Sequence, residues 1–131
     1  MLPAGLGFIQ LCADRRFHRR TMKAFEELAG LEPDGYWIEA QPGGAPSWSD
    51  ATPAVGLAYE LGVTHMAWAA HGDECLGYPL LSDDTLREMV AETARRRASE
   101  LPAATHYGLF AHADEVELVI KIESSDVKIG L

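Results

Sequence analysis

HMAWAAHGDECLG, His65 to Gly77, changes character halfway along. Residues 65–70 are apolar almost throughout, after which come His71, two acids, Cys75 and a closing glycine. A short apolar run bounded by turn formers suits a strand covered on both faces, as in parallel sheets. Such a strand needs helices above and below it, so the flanking sequence is read for strands and helices in alternation.

Upstream, GFIQLCA (7–13) is a second apolar run, closed by Asp14. Residues 15–29 then carry Phe17, Thr21, Phe25 and Leu28 at helical spacing, and Gly30 supplies a stop. The turn signal EPDG leads into β-prone GYWIEA (35–40). QPGGAPSWSD (41–50) is a loop, and Thr52 with Pro53 reads as an N-cap and first helical residue. Ala54, Leu57, Ala58 and Leu61 share one face of that helix, and Gly62 ends it.

Downstream, Ser82, Asp83 and Asp84 crowd a helix start, with Leu86, Met89, Val90 and Thr93 as the inner stripe. Arg95, Arg96 and Arg97 near its far end complement the helix dipole and read as a solvated face. THYGLFAH (105–112) and EVELVIKI (115–122) are strand-like and joined by Ala113 and Asp114, a hairpin connection. The order predicts an α/β fold in three layers. It consists of a mostly parallel four-stranded sheet flanked by helices, with an antiparallel C-terminal strand, and residues 1–131 form one domain.

Composition narrows the function. A formal net charge of −9 and the lack of a sizeable basic face argue against a nucleic-acid partner. No apolar run approaches the ~20 residues that span a bilayer, and MLPAGLGFIQLC lacks the basic start of a secretion signal, so a cytoplasmic protein without a membrane partner is expected. Two cysteines are too few for a disulfide framework.

In an open parallel sheet, ligands bind outside the carboxyl ends of the strands. Those ends carry Cys12, Asp14, Arg15 and Arg16 after the first strand, Gln41 to Gly44 after the second, and His71, Asp73, Glu74 and Cys75 after the third. Cys, His and Cys suit zinc, and a catalytic zinc keeps three protein ligands and one open position. Asp14, close to Arg16, is placed to accept a hydrogen bond while staying ionised. A disulfide or redox pair of Cys12 and Cys75 is the competing reading of the thiols. Gly43 and Gly44 are candidate pocket residues, though their spacing fits no phosphate-binding fingerprint.

These residues resemble the β-class carbonic anhydrases. Cys12-Ala13-Asp14-Arg15-Arg16 is similar to that family's Cys-x-Asp-Ser-Arg motif, with Arg15 in the serine position, and LGVTHMAWAAHGDECLG (61–77) resembles the segment bearing its His-x-x-Cys motif. The likeness extends to the Gly43-Gly44-Ala45 loop, and a short carbonic anhydrase-like group also has DSRF before a histidine and a PGGA loop. The resemblance implies Zn2+ on Cys12, His71 and Cys75, an Asp14–Arg16 catalytic dyad, and hydration of carbon dioxide to bicarbonate by a zinc-bound hydroxide. It also implies a homodimer or higher oligomer. Three residues separate His71 from Cys75 where the family has two, so either the loop bulges or Glu74 takes the cysteine's place as ligand. The alternative function is an inactive zinc-binding or bicarbonate-sensing relative.

Overall fold

The computed structural model describes residues 6–125. Its elements are β1 (Gly7–Cys12), α1 (His18–Ala29), β2 (Tyr36–Gln41), a 3-10 turn (Ala45–Ser47), α2 (Pro53–Glu60), β3 (His65–His71), α3 (Asp83–Glu100), β4 (Thr105–Ala111) and β5 (Val116–Ile122). The strands form one five-stranded sheet in the order β2-β1-β3-β4-β5. β1 to β4 run parallel, and β5 pairs antiparallel with β4. The predicted α/β class and antiparallel last strand are as observed.

Strand chemistry decides strand position. GFIQLC, HMAWAAH and THYGLFA carry no Asp, Glu, Lys or Arg, and these three strands occupy the buried centre. YWIEAQ and VELVIKI mix charge with apolar residues and lie at the two half-exposed edges.

Alternate side chains of each strand turn to opposite faces. Phe8, Met66 and Trp68 pack with Val55 and Ala58 of α2 and with Ala94 of α3. Ile9, Leu11, Ala67 and Ala69 pack with Phe25 of α1 on the other side. The result is three layers, helix on sheet on helix. Thr52 and Ser82 cap α2 and α3 as expected, their hydroxyls accepting from the backbone N–H of Val55 and Thr85.

Four local expectations change. Of the α2 face read from the sequence only Ala58 is buried, beside Val55, while Ala54, Leu57 and Leu61 are exposed. Helix α1 begins at His18, not at residue 15, because the Asp14 carboxylate accepts the N–H of Arg16 (2.9 Å) and its carbonyl accepts that of Phe17, folding 14–17 into a turn. The β4–β5 connection spans 112–115, closed by the His112 N–H on the Glu115 carbonyl, and a register shift lies at Gly108/Leu109. Arg97 is no part of a solvated face: it is fully buried, its guanidinium 5.9 Å from the Trp68 ring and bonded to Glu100 (2.9 Å) and the Trp48 carbonyl (3.2 Å). A charge deep in the core persists only when its donors find such acceptors.

The order β2-β1-β3 means that the chain leaves β1 to one side and returns to its other side. That reversal opens a crevice at the carboxyl ends of β1 and β3.

Candidate metal centre

Cys12 is the last residue of β1 and His71 the last of β3, so the crevice between these neighbours receives both. Cys12 lies with Ala70, Leu86, Val90 and Phe110 on the α3 face. His71 turns the other way, toward α1, where its ring stacks on Phe17 at 4.2 Å between centroids and 13° between planes. Cys75 enters from the following loop and packs beside Cys12. One ligand atom from each of Cys12, His71 and Cys75 lies within 4.8 Å of the others, and all three residues are buried.

The loop from His71 to Cys75 takes the extra residue as a bulge. Asp73 and Glu74 both adopt left-handed backbone conformations, with φ of 52° and 62°. Two consecutive non-glycine residues there are uncommon, and Glu has less excuse than Asp for occupying that region. The bulge swings Cys75 into the cluster, and Glu74 lines the cleft outside it. Of the two readings of the spacer, the bulged loop is the one observed.

The His71 tautomer follows from its partners. Nδ1 lies 2.6 Å from the Gly72 carbonyl oxygen, which only accepts, so Nδ1 carries the proton. In the neutral ring Nε2 then presents a lone pair. Nε2 is buried and has no hydrogen-bond partner. A buried imidazole nitrogen with an aimed, unspent lone pair beside two thiols is the donor set that zinc takes, and the Nδ1–carbonyl bond is the support that metal-bound histidines use. The residues fit the ion.

Electrostatics agree with the geometry. Burial pushes the Cys12 thiol up, but His71 and the backbone N–H groups of Asp14 and Gly43 more than reverse this and bring it down to about 7. Cys75 is pushed up by burial and by the charge of Cys12. A second thiolate beside the first is disfavoured unless a cation lies between them. Both cysteines are free thiols rather than a disulfide.

Asp14 stands at the mouth. Arg16 grips its carboxylate through Nε (3.1 Å to each oxygen) and a second nitrogen (2.7 Å to Oδ2), and holds its pKa down to about 2. Oδ2 is also 3.6 Å from His71 Nε2. The same Arg16 nitrogen reaches the carbonyls of Asp73 and Glu74 at 3.5 Å, spanning from the β1 loop to the bulge.

Above the cluster is a cleft of about 520 Å³ lined by Cys12, Asp14, Arg15, Pro42, Glu74 and Leu76 among others. Pro42 and Gly77 belong to its wall, whereas Gly43 and Gly44 are not among the residues lining it. Gly44, at φ 71°, passes so close to β3 that a Cβ would collide with the Ala69 carbonyl. Phe17, read from the sequence only as part of a helical stripe, proves to be the stacking partner of His71. Its place directly after Arg16, as in DSRF, was the available signal.

No protein-family profile matches the chain, and no curated protein sequence matches it. Among solved structures, the crystal structure of β-carbonic anhydrase isoform I from the protozoan Trichomonas vaginalis is similar with a TM-score of 0.50. The match covers 94% of this chain and 85% of that one at 17% identity. The fold is that of a β-carbonic anhydrase. Within the β-carbonic anhydrase fold, the buried Cys12, His71 and Cys75 cluster lies at the carboxyl edge of the sheet and can bind a metal. No helix among the described residues is long and apolar enough to cross a membrane.

Proposed function

We propose that the chain is a zinc lyase of the β-carbonic anhydrase type, interconverting carbon dioxide and bicarbonate. The convergence of Cys12, His71 and Cys75 ligand atoms within 4.8 Å, in that fold, carries the reading. Zinc held there supplies the Lewis acidity that brings the ionisation of water into the range of ~7, where a hydroxide nucleophile is available.

The remaining work belongs to the chain. Cys12 and Cys75 would hold the ion as thiolates and offset its charge, and His71 would do so through Nε2 while the Gly72 carbonyl accepts its Nδ1 proton. Asp14, kept ionised by Arg16, would accept the hydrogen bond that orients the attacking oxygen toward carbon dioxide, or would itself help to hold the ion. Arg16 orients that carboxylate and braces the bulge. Overall, water adds through oxygen to the carbon of carbon dioxide and one proton passes to solvent as bicarbonate forms. Gly43 and Gly44 support the site through backbone rather than contacting substrate.

The reading carries with it residues 1–131 as a single domain, a reducing cytoplasmic setting, and a homodimer or higher oligomer without nucleic-acid or membrane partners. Purified protein is expected to hold about one zinc per chain and to accelerate carbon dioxide hydration in stopped flow. Zinc without acceleration would reject the enzyme and retain the metal site.

That second outcome describes the competing function, an inactive zinc-binding or bicarbonate-sensing protein. The left-handed Asp73 and Glu74 and the Arg15 substitution favour it. Deleting Glu74 restores the shorter spacer. A rise in hydration rate of tenfold or more, on the order of 1.4 kcal/mol in barrier, would mark the native chain as a lapsed enzyme.

A further inference from the structure

The cleft is large for its proposed reactants. Bicarbonate has four heavy atoms, whereas 520 Å³ falls within the roughly 300–1,000 Å³ of pockets that enclose drug-sized ligands. The cleft has more room than bicarbonate fills.

Its charges are also unevenly spent. Arg16 is committed to Asp14. Arg15, on the same wall, makes no ion pair and no side-chain hydrogen bond among the described residues, so its guanidinium is free to bind an anion. Glu74, on the wall contributed by the bulge, also has no partner for its carboxylate among the described residues, although it sits in the field of Arg16. The rest of the lining is Cys12, Asp14 in its pair with Arg16, Gly77, and the apolar Ala13, Pro42 and Leu76. Leu76 is 81% exposed at the rim, an apolar side chain open to a ligand.

We propose that the cleft binds an organic monocarboxylate with an apolar tail, its carboxylate on Arg15 and its tail against Ala13, Pro42 and Leu76. A planar guanidinium matches a carboxylate through two parallel N–H donors, the geometry Arg offers and Ser cannot. Glu74 sets the charge limit. A second negative group would meet its carboxylate across the cleft, so dicarboxylates and phosphates are disfavoured and a single charge is accepted. The tail takes the exposed leucine surface out of water.

The ligand shares the mouth of the proposed zinc site, yet its recognition uses none of the three candidate metal ligands. The full-length protein, with zinc measured on the same sample, is titrated calorimetrically with acetate, butyrate, hexanoate, succinate and bicarbonate. Affinity is expected to rise two- to fourfold per added methylene from acetate to hexanoate, on the order of the transfer free energy of a buried CH₂. Succinate is expected to bind more weakly than butyrate. Arg15→Gln, an exposed change, is expected to weaken hexanoate about tenfold at an unchanged melting temperature. Leu76→Ser is expected to flatten the chain-length series, and Glu74→Gln to admit succinate. Hexanoate no tighter than acetate, no binding at all, or full affinity in Arg15→Gln would overturn the proposal. Zinc present without carboxylate binding sinks this inference alone, and carboxylate binding without zinc sinks the hydratase reading alone.

Discussion

Two histidines lie buried on adjacent strands of the sheet, and they are spent differently. His106 on β4 accepts from Trp68 Nε1 at Nδ1 (2.9 Å) and donates from Nε2 to the Leu101 carbonyl (2.8 Å), so both ring nitrogens are used. His71 on β3 donates from Nδ1 to Gly72 and leaves Nε2 buried and unpartnered. His106 is a strut between β4 and the end of α3. His71 keeps a lone pair in reserve where two thiols converge. Burial alone does not separate a structural histidine from a ligand, since both are 1% exposed or less. What separates them is the count of satisfied ring nitrogens, because an orphaned buried acceptor is a cost that folding tolerates where a ligand will repay it.

The comparison breaks most sharply on metal content. His71→Ala is expected to reduce zinc from about one per chain to under about a tenth, while His106→Ala keeps it; mass-spectrometric metal analysis of the two variants decides. Equal zinc in both would abolish the distinction. On stability the ranking inverts. His106→Ala opens a cavity and orphans the Trp68 N–H and the Leu101 carbonyl, an expected loss of about 2–4 kcal/mol in urea unfolding.

Acid sharpens the same contrast. Burial holds the His106 pKa below its ordinary 6.5, since its charged form would be desolvated. Above 6.5 neither folded nor unfolded His106 is charged, and its contribution is fully present. As pH falls from 6.5 toward the lowered folded value, the unfolded chain binds the proton first and stability is lost. His106→Gln is expected to flatten the slope of unfolding free energy between pH 7 and 5. An unchanged slope would mean that the ring is not held neutral by the fold.

The smallest effect concerns the backbone. His106 sits within a regular strand, whereas His71 leads into two left-handed residues. Glu74→Gly is expected to stabilise by about 0.5–1 kcal/mol, the relief of left-handed strain less the entropy glycine adds to the unfolded chain. A loss of stability in urea would show that the Glu74 side chain contributes more than its backbone costs.

Much of this was legible in the chain before folding. Apolar runs without charge marked β1, β3 and β4, caps at Thr52 and Ser82 marked α2 and α3, and the residues following the strands named the cluster. These signals are local: burial on both faces demands uncharged strands, and an N-cap satisfies donors within its own turn. The start of α1 is hidden in the sequence because periodicity continues through Arg15 and Arg16, while the Asp14 side chain outbids the helix for the Arg16 N–H. The burial of Arg97 is hidden as well, because three successive arginines look alike in sequence and only the packing of α3 over Trp48 and Trp68 turns one of them inward.

Residue types and their spacing by themselves determined that strands and helices alternate and that Cys12 and His71 stand at strand ends with Cys75 shortly after, since those properties depend on neighbours a few residues away. Only the tertiary structure decided that Cys75 rather than Glu74 reaches the cluster, that Phe17 stacks on His71, and that Arg15 faces a cleft with its charge unspent. Each of these depends on where residues distant in sequence come to rest, and that is set by sheet order and by the bulge at Asp73 and Glu74.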